Sequence, residues 1–116
     1  MAAATHYLRL GYLVFWPAVR AGPVDFVVDK LREGLFRVQV KTATWITSGT
    51  YRYLQARTRS SSPNITPQSG HYDTVFVVHG EEMWEIPAKN INSSNICLRG
   101  SRPGRPTEAW DGFKVR

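Results

Sequence analysis

Two candidate strands flank a short loop in GPVDFVVDKLREGLFRVQVKT, residues 22–42. Residues 24–28 are rich in β-branched side chains, and residues 35–41 alternate between apolar and polar side chains; both features are typical of strands. Residues 29–34 are polar and contain a glycine, so they predict the loop of a hairpin. Side chains alternate along a strand, so the apolar residues of 35–41 point into a core. The opposite face carries Arg37, Gln39 and Lys41.

Pairing around this hairpin predicts a polar cluster on that opposite face. Asp25 on the first strand comes opposite the region of Gln39 to Lys41, so a carboxylate, an amide oxygen and an ammonium group meet there. Mg²⁺ prefers hard oxygen ligands, which Asp25, Gln39 and the Val40 backbone carbonyl would supply, with Mn²⁺ as a substitute ion. Lys41 would then orient a water molecule or stabilise charge on a phosphate. A half-exposed strand of ordinary function has the same alternation, so spacing alone leaves that alternative open.

The rest of the chain predicts a sheet-rich domain with little helix. A short helix is expected over residues 2–10, which are rich in Ala, ending at Gly11. Residues 57–72 are rich in Ser and Pro and predict a polar loop. Further strands are expected at residues 12–16 (buried), 49–56, 73–79, 83–86 and 96–98. We expect an α/β domain over residues 1–99, with a central mixed β-sheet and few short helices, followed by a basic C-terminal arm over residues 100–116.

The charge distribution favours a polyanionic partner. The 116 residues include 15 Lys and Arg and 9 Asp and Glu, a net charge of +6. No acidic residue falls between Glu33 and Asp73, whereas Glu81, Glu82 and Glu85 form a compact acidic patch. Such polarity would orient the domain on a phosphate backbone. The predicted DNA contacts are Arg37, Thr42, Arg52, Arg57 and Arg59.

Other side chains are given structural interpretations. Glu85 alternates with apolar neighbours and is predicted to be solvated, and His6 is expected to be a surface or core histidine. The four tryptophans are predicted to be core or interface anchors rather than stacking platforms for bases. These are Trp16, Trp45, Trp84 and Trp110.

Several classes of protein are excluded by composition. Hydrophobic residues make up 42% of the chain and charged residues 21%, which excludes wholesale disorder. No apolar run approaches the roughly 20 residues that span a bilayer, and no secretory signal is recognisable at the N-terminus. The single cysteine, Cys97, excludes an intramolecular disulfide and a cysteine-based zinc site. We therefore expect a cytoplasmic protein without a membrane partner.

Two segments resemble the PD-(D/E)XK nuclease superfamily. These are GPVDFVV with QVKT, in which Asp25 and Gln39 are fourteen residues apart, and YDTVFVVHGEEMWEIPAKNI, residues 72–91. They are most similar to the branch in which Gln replaces the second acidic residue, a branch that includes homing endonucleases encoded in cyanobacterial group I introns. The resemblance spans residues 11–91 and implies a restriction-endonuclease-like core. It also implies Asp25 as metal ligand, Gln39 in the position of the second acid, and Lys41 as the catalytic lysine.

The resemblance implies a Mg²⁺-dependent DNA endonuclease of a prokaryote or phage, site-specific if it is of the homing type. We expect it to act as a homodimer or homotetramer. One departure from the family pattern leaves alternatives open, because members place a Glu on the first helix and residues 1–24 contain no acidic residue. A single metal suffices, or another acid replaces that Glu, or activity is lost. The rival functions are a branched-DNA enzyme such as a Holliday junction resolvase, a non-catalytic DNA-binding module, and a basic protein-interaction domain.

Overall fold

The described residues form one α-helix and nine strands. The computed structural model describes residues 1–18, 22–59, 65–100 and 110–115. The helix is α1 (Ala2–Arg9), and the strands are β1 (Leu13–Phe15), β2 (Phe26–Asp29), β3 (Leu35–Thr42), β4 (Thr44–Ser48), β5 (Tyr51–Arg57), β6 (Thr74–His79), β7 (Glu82–Pro87), β8 (Asn95–Gly100) and β9 (Lys114–Val115). Single 3₁₀ turns occur at Leu31–Glu33, Pro67–Ser69, Ala88–Asn90 and Asp111–Phe113.

The strands form a large mixed sheet and a small antiparallel sheet. The large sheet has the order β1-β2-β3-β6-β7-β9, and the small sheet has the order β4-β5-β8. Strands β3 and β6 are parallel, whereas every other neighbouring pair is antiparallel. Parallel neighbours need a long crossover, and the hairpin β4–β5 lies within it. The expected α/β class with a central mixed sheet is confirmed.

Other elements pack against both faces of the large sheet. On one face, α1 packs Ala3, Ala4 and Tyr7 against buried residues of β2, β3 and β6. On the other face, Val75 and Val77 of β6 pack with residues of β5 and β8. The polar residues of β3 belong to this second face, because alternate side chains of a strand point to opposite sides.

Two strand predictions are corrected by the structure. Residues 12–16 were expected to be buried, but β1 is an edge strand in which Leu13 and Phe15 are each 52% exposed. Strand β4 was not predicted, and residues 49–56 were assigned to one strand. Gly49, with a φ of +60°, instead lies in the turn that joins β4 to β5. The sequence between β3 and β4 contains no turn residue, so it gives no signal that β4 begins there as a separate strand.

The acidic patch predicted at residues 81–85 is paired with basic side chains. The Arg99 guanidinium donates to both oxygens of Glu82, and Lys114 Nζ lies 3.0 Å from Glu82 Oε2. Glu85 was predicted to be solvated, but it binds Lys30 and Tyr7. Strand alternation gives the face of Glu85 correctly but does not reveal that α1 covers it.

The C-terminal region returns to the large sheet. Strand β9 pairs with β7 through Met83–Val115 and Trp84–Lys114. The basic arm expected over residues 100–116 remains a prediction, since residues 101–109 and 116 lie outside the described residues. In the part of the chain that the structure describes, no helix is both long and apolar enough to span a membrane.

Candidate active site

Asp25 precedes β2 and is fixed by the backbone of β3. Its N–H donates to the Val38 carbonyl oxygen at 2.9 Å, and the Val40 N–H donates to Asp25 Oδ2 at 2.6 Å. The N–H and C=O of one strand residue point to the same side of the strand. The Val40 carbonyl therefore points toward the side on which Asp25 lies, beyond Phe26–Val38, the last pair between β2 and β3.

Gln39 is a buried polar residue on the second face of the large sheet. Its side chain is 7% exposed, and it lies in register with Val75 of β6. Among the described residues, Gln39 Oε1 finds no hydrogen-bond partner. Leaving a buried acceptor unpaired costs about 1–3 kcal/mol, so the fold holds a polar oxygen at this position at the expense of its own stability.

Lys41 lies on the same face as Gln39, two residues further along β3. Burial lowers the pKa of its ammonium group below the ordinary value; the charge of Asp25 raises this pKa, and the charge of Arg57 lowers it. The electrostatic coupling links the end of β3, the start of β2 and the end of β5. Lys41 therefore presents a partly desolvated positive charge beside a carboxylate.

The donor set of this site fits one divalent cation. It combines a carboxylate oxygen of Asp25, the amide oxygen of Gln39 and the backbone carbonyl of Val40. All are hard oxygen ligands of the kind that Mg²⁺ binds while it keeps several waters. The unpaired Gln39 Oε1 is the observation that favours a cation here. The described residues contain no group of three or more His, Cys, Asp or Glu arranged to hold a metal, so a cation bound here would need amide and carbonyl ligands beside Asp25.

A second polar cluster lies on the opposite, helix-covered face of the sheet. The Tyr7 hydroxyl donates to Glu85 Oε2, and Lys30 Nζ lies 3.0 Å from both oxygens of Glu85. Burial, followed by the nearby charge of Glu85, raises the pKa of Tyr7. His6 is 9% exposed and burial lowers its pKa, which confirms its interpretation as a core histidine. Glu85 therefore contacts α1, and it lies on the sheet face opposite to that of Gln39.

Two predicted DNA-contacting residues of β3 have different surroundings. The Arg37 guanidinium makes a two-point ion pair with Asp73, with Nε–Oδ2 and Nη2–Oδ1 distances of 3.1 and 3.0 Å. The hydrogen bonds from Arg37 lower the pKa of Asp73, and the hydrogen bonds to Asp73 raise the pKa of Arg37. Thr42, by contrast, is exposed at the end of β3, beyond Lys41. Arg37 is thus already neutralised within the fold, and Thr42 is accessible.

The other predicted DNA-contacting residues lie on or after β5. The guanidinium of Arg52 stacks 4.4 Å from the centre of the Trp45 ring. Arg57 is exposed and electrostatically coupled to Lys41. Arg59 lines a separate cavity of about 200 Å³ together with Gln68 and other polar residues. Arg57 is therefore a member of this group whose charge lies close enough to affect Lys41.

The sequence interpretation missed a cavity beside Asp25. It has a volume of about 540 Å³ and is lined by Met1, Trp16, Pro17, Val24 and Asp25. Trp16 was predicted to be a core or interface anchor; its 57% exposure excludes the core, and the interface remains a prediction. The adjacent proline, which ends β1 and turns the chain, was the available sequence signal that Trp16 leaves the sheet.

Comparison with solved structures finds a protein of similar fold. The bacterial homing endonuclease I-Ssp6803I aligns with a TM-score of 0.68 and 21% sequence identity, over 97% of this chain and 78% of that protein. Comparison with curated protein sequences gives no match.

Comparison with protein families gives a match over nearly the whole chain. Residues 1–108 match the family described as PD-(D/E)XK endonuclease. The members of this family are nucleases that generally use divalent metals. The matched segment contains Asp25, Gln39 and Lys41, and the fold agrees with a restriction-endonuclease-like core. This chain belongs to the PD-(D/E)XK endonuclease family.

Proposed function

We propose that this chain is a Mg²⁺-dependent DNA endonuclease in which Asp25, Gln39 and the Val40 carbonyl hold a single metal ion. The observation that carries the proposal is the buried, unpaired Gln39 Oε1, which lies on the sheet face that also carries Lys41. A fold that gains only a small net stability retains this acceptor, for which the described residues provide no hydrogen-bond partner. A bound cation would satisfy it.

The chain's own residues have distinct roles in the proposed reaction. A divalent ion, when bound, polarises the scissile phosphate and lowers the pKa of a coordinated water. Asp25 is held in one orientation by the Val40 N–H, so its free oxygen is preorganised. Lys41 supplies positive charge to the phosphate from a partly desolvated position, where electrostatic interactions are stronger than in water. Its lowered pKa also favours proton exchange with a nearby water.

The proposed DNA contacts extend from this site along β3 and β5. Thr42 follows Lys41 on β3, and Arg57 is electrostatically coupled to Lys41. Arg52 lies on the β4–β5 hairpin with its guanidinium carbon 4.4 Å from the centre of the Trp45 ring. Two-stranded ribbons fit the major groove of B-DNA. The acid-free segment between Glu33 and Asp73 keeps this surface basic, which supports binding to a phosphate backbone.

A homodimer, or a larger even-numbered oligomer, is proposed for the active enzyme. Two symmetric cuts in duplex DNA need two active sites. Support comes from three apolar side chains on one face of the β1–β3 edge, because such exposed patches often mark interfaces. Leu13, Phe15 and Leu35 are 52%, 52% and 65% exposed.

The cleavage test uses supercoiled plasmid, linear duplex and a four-way junction with Mg²⁺, Mn²⁺ or EDTA. We expect metal-dependent cutting by the wild type and none by Asp25→Asn. Junction cutting that exceeds duplex cutting by orders of magnitude would replace the homing-type proposal with a branched-DNA enzyme. Cutting that persists in EDTA or in Asp25→Asn would contradict the proposed site.

A non-catalytic DNA-binding module is the second candidate. The observation that favours it is the absence of any acidic residue in residues 1–24, together with the position of Glu85 on the sheet face opposite to that of Gln39. Salt-dependent DNA binding with no cutting of any substrate would support it, since phosphate contacts predict a steep loss of affinity with salt. Affinity that barely changes with salt would instead support a protein-interaction domain.

A further inference from the structure

The cavity beside Asp25 has the size of a ligand site. Its volume of about 540 Å³ falls within the roughly 300–1,000 Å³ typical of small-molecule pockets. The described residues that line it combine apolar and aromatic side chains with the carboxylate of Asp25. Its surface is a mixture of polar and apolar atoms, which suits a ligand with both an aromatic and a polar part.

Trp16 is a largely exposed aromatic residue of that cavity. It is 57% exposed, whereas Trp84 in the core is fully buried. The Trp16 ring packs against the buried ring of Phe26 in a tilted arrangement, with centroids 5.5 Å apart and planes at 56°. Pro17, which follows directly, restricts the backbone. The indole is thus in contact with a core residue and also lines the cavity.

We propose that Trp16 is a stacking platform for the nucleobase adjoining the phosphate that is cut. This inference rests on the proposed function, because it takes Asp25 as the residue that marks the position of that phosphate. Asp25 forms one wall of the cavity, so a phosphate placed at Asp25 brings its neighbouring nucleotide to the Trp16 ring.

The proposal predicts a preference for DNA that is locally unpaired near the cut. A base reaches an exposed indole only after it leaves the helical stack, and unstacking is easiest at mismatched or single-stranded positions. Stacking on an aromatic ring is sequence-tolerant, since every base has a π-face. Trp16 therefore contributes affinity and position rather than base identity.

The test measures binding of labelled single-stranded octamers in EDTA, so that no cleavage occurs. One octamer carries thymine at every position and the other is abasic at every position. In the wild type we expect tighter binding of the thymine octamer. In Trp16→Ala this preference should fall by roughly 5- to 150-fold, which corresponds to the about 1–3 kcal/mol of one stacked base. Trp16→Phe should retain most of it.

Leu8→Ala is the matched control, because Leu8 is 56% exposed on α1 and does not line the cavity. It should leave the preference unchanged, and thermal unfolding should show that all variants are folded. An unchanged preference in Trp16→Ala would overturn the proposal. A second outcome would also overturn it: Trp16→Ala sediments as a smaller species than the wild type and keeps the base preference. Trp16 would then lie in an interface between two copies of the chain.

The two proposals fail separately. If the wild type shows no metal-dependent cutting but the thymine preference depends on Trp16, the endonuclease proposal fails, and Trp16 remains a base-stacking residue without a place beside a cut phosphate. If the wild type cuts and the preference does not depend on Trp16, the stacking site alone fails.

Discussion

The two faces of the large sheet each carry a cluster of polar side chains, but the clusters differ in how fully they are paired. On the helix-covered face, Glu85 accepts from Tyr7 and Lys30. On the opposite face, Gln39 keeps an unpaired buried oxygen beside Lys41. A fully bonded cluster stabilises the fold, whereas a partly bonded one lowers stability unless a ligand completes it. The comparison separates a structural network from a candidate catalytic site without reference to function.

The largest expected effect comes from replacing the lysine of each cluster, in separate variants, with alanine. Lys41→Ala should reduce the rate of DNA cleavage by roughly 100- to 1,000-fold, as removal of one preorganised electrostatic group does, with little change in unfolding free energy. Lys30→Ala should leave cleavage within a few-fold and lower stability. Single-turnover cleavage and urea unfolding of both variants check this. Equal loss of cleavage in both variants would contradict the assignment of catalysis to the Lys41 face alone.

A divalent metal should stabilise the wild-type chain by binding at Asp25 and Gln39, and not at the Glu85 cluster. A ligand that binds only the folded state at 100 times its Kd adds about 2.7 kcal/mol. Mg²⁺ or Mn²⁺ should therefore raise the Tm of the wild type and of Glu85→Gln, and chelation should reverse the rise. Asp25→Asn should show no such rise. A metal-dependent shift that survives in Asp25→Asn places the ion elsewhere.

Apolar substitutions on the two faces should change stability in opposite directions. Gln39→Leu removes the unpaired oxygen and should stabilise the metal-free chain by roughly 1–2 kcal/mol. Tyr7→Phe removes a hydrogen bond to a carboxylate and should destabilise it by roughly 1–3 kcal/mol. Urea unfolding in EDTA measures both. A destabilising Gln39→Leu would show that this amide is satisfied within the fold.

The smallest effect concerns acid sensitivity, which we assign to ion pairs outside both clusters. Hydrogen bonds from Arg99 and Lys114 lower the pKa of Glu82 from 4.5 to about 2. A carboxylate with a depressed folded-state pKa adds stability above its unfolded pKa, and this stability is lost as pH falls through the folded value. Glu82→Gln should therefore flatten the loss of stability between pH 4.5 and about 2. The exposed Glu81→Gln is the control, and an unchanged slope in Glu82→Gln would contradict the assignment.

The sequence predicts the site strands well because their signals are local. The alternation in residues 35–41 and the glycine at the end of the loop give β3 and its hairpin with β2. The helix over residues 2–10 and its end at Gly11, which has a φ of +84°, are likewise local features. Asp25, Gln39 and Lys41 follow from this register, although their roles depend on the family resemblance.

What the sequence cannot predict depends on contacts between distant segments. The pairing of Arg37 with Asp73 joins residues 36 positions apart, and the contact of Tyr7 with Glu85 joins residues 78 positions apart. The exposure of Trp16 depends on β1 lying at the edge of the sheet, and apolar composition alone predicts burial. These are the places where an element's neighbours, rather than its own residues, decide the environment.

The central claim is that the incompletely paired face holds one divalent ion. Titration of Mn²⁺ into the protein, with free Mn²⁺ measured by electron paramagnetic resonance, tests it most directly. We predict one site per chain in the wild type, retained in Glu85→Gln and weakened at least tenfold in Asp25→Asn and Gln39→Leu. Mn²⁺ binding that is absent from the wild type, or that is undiminished in Asp25→Asn, would contradict the account.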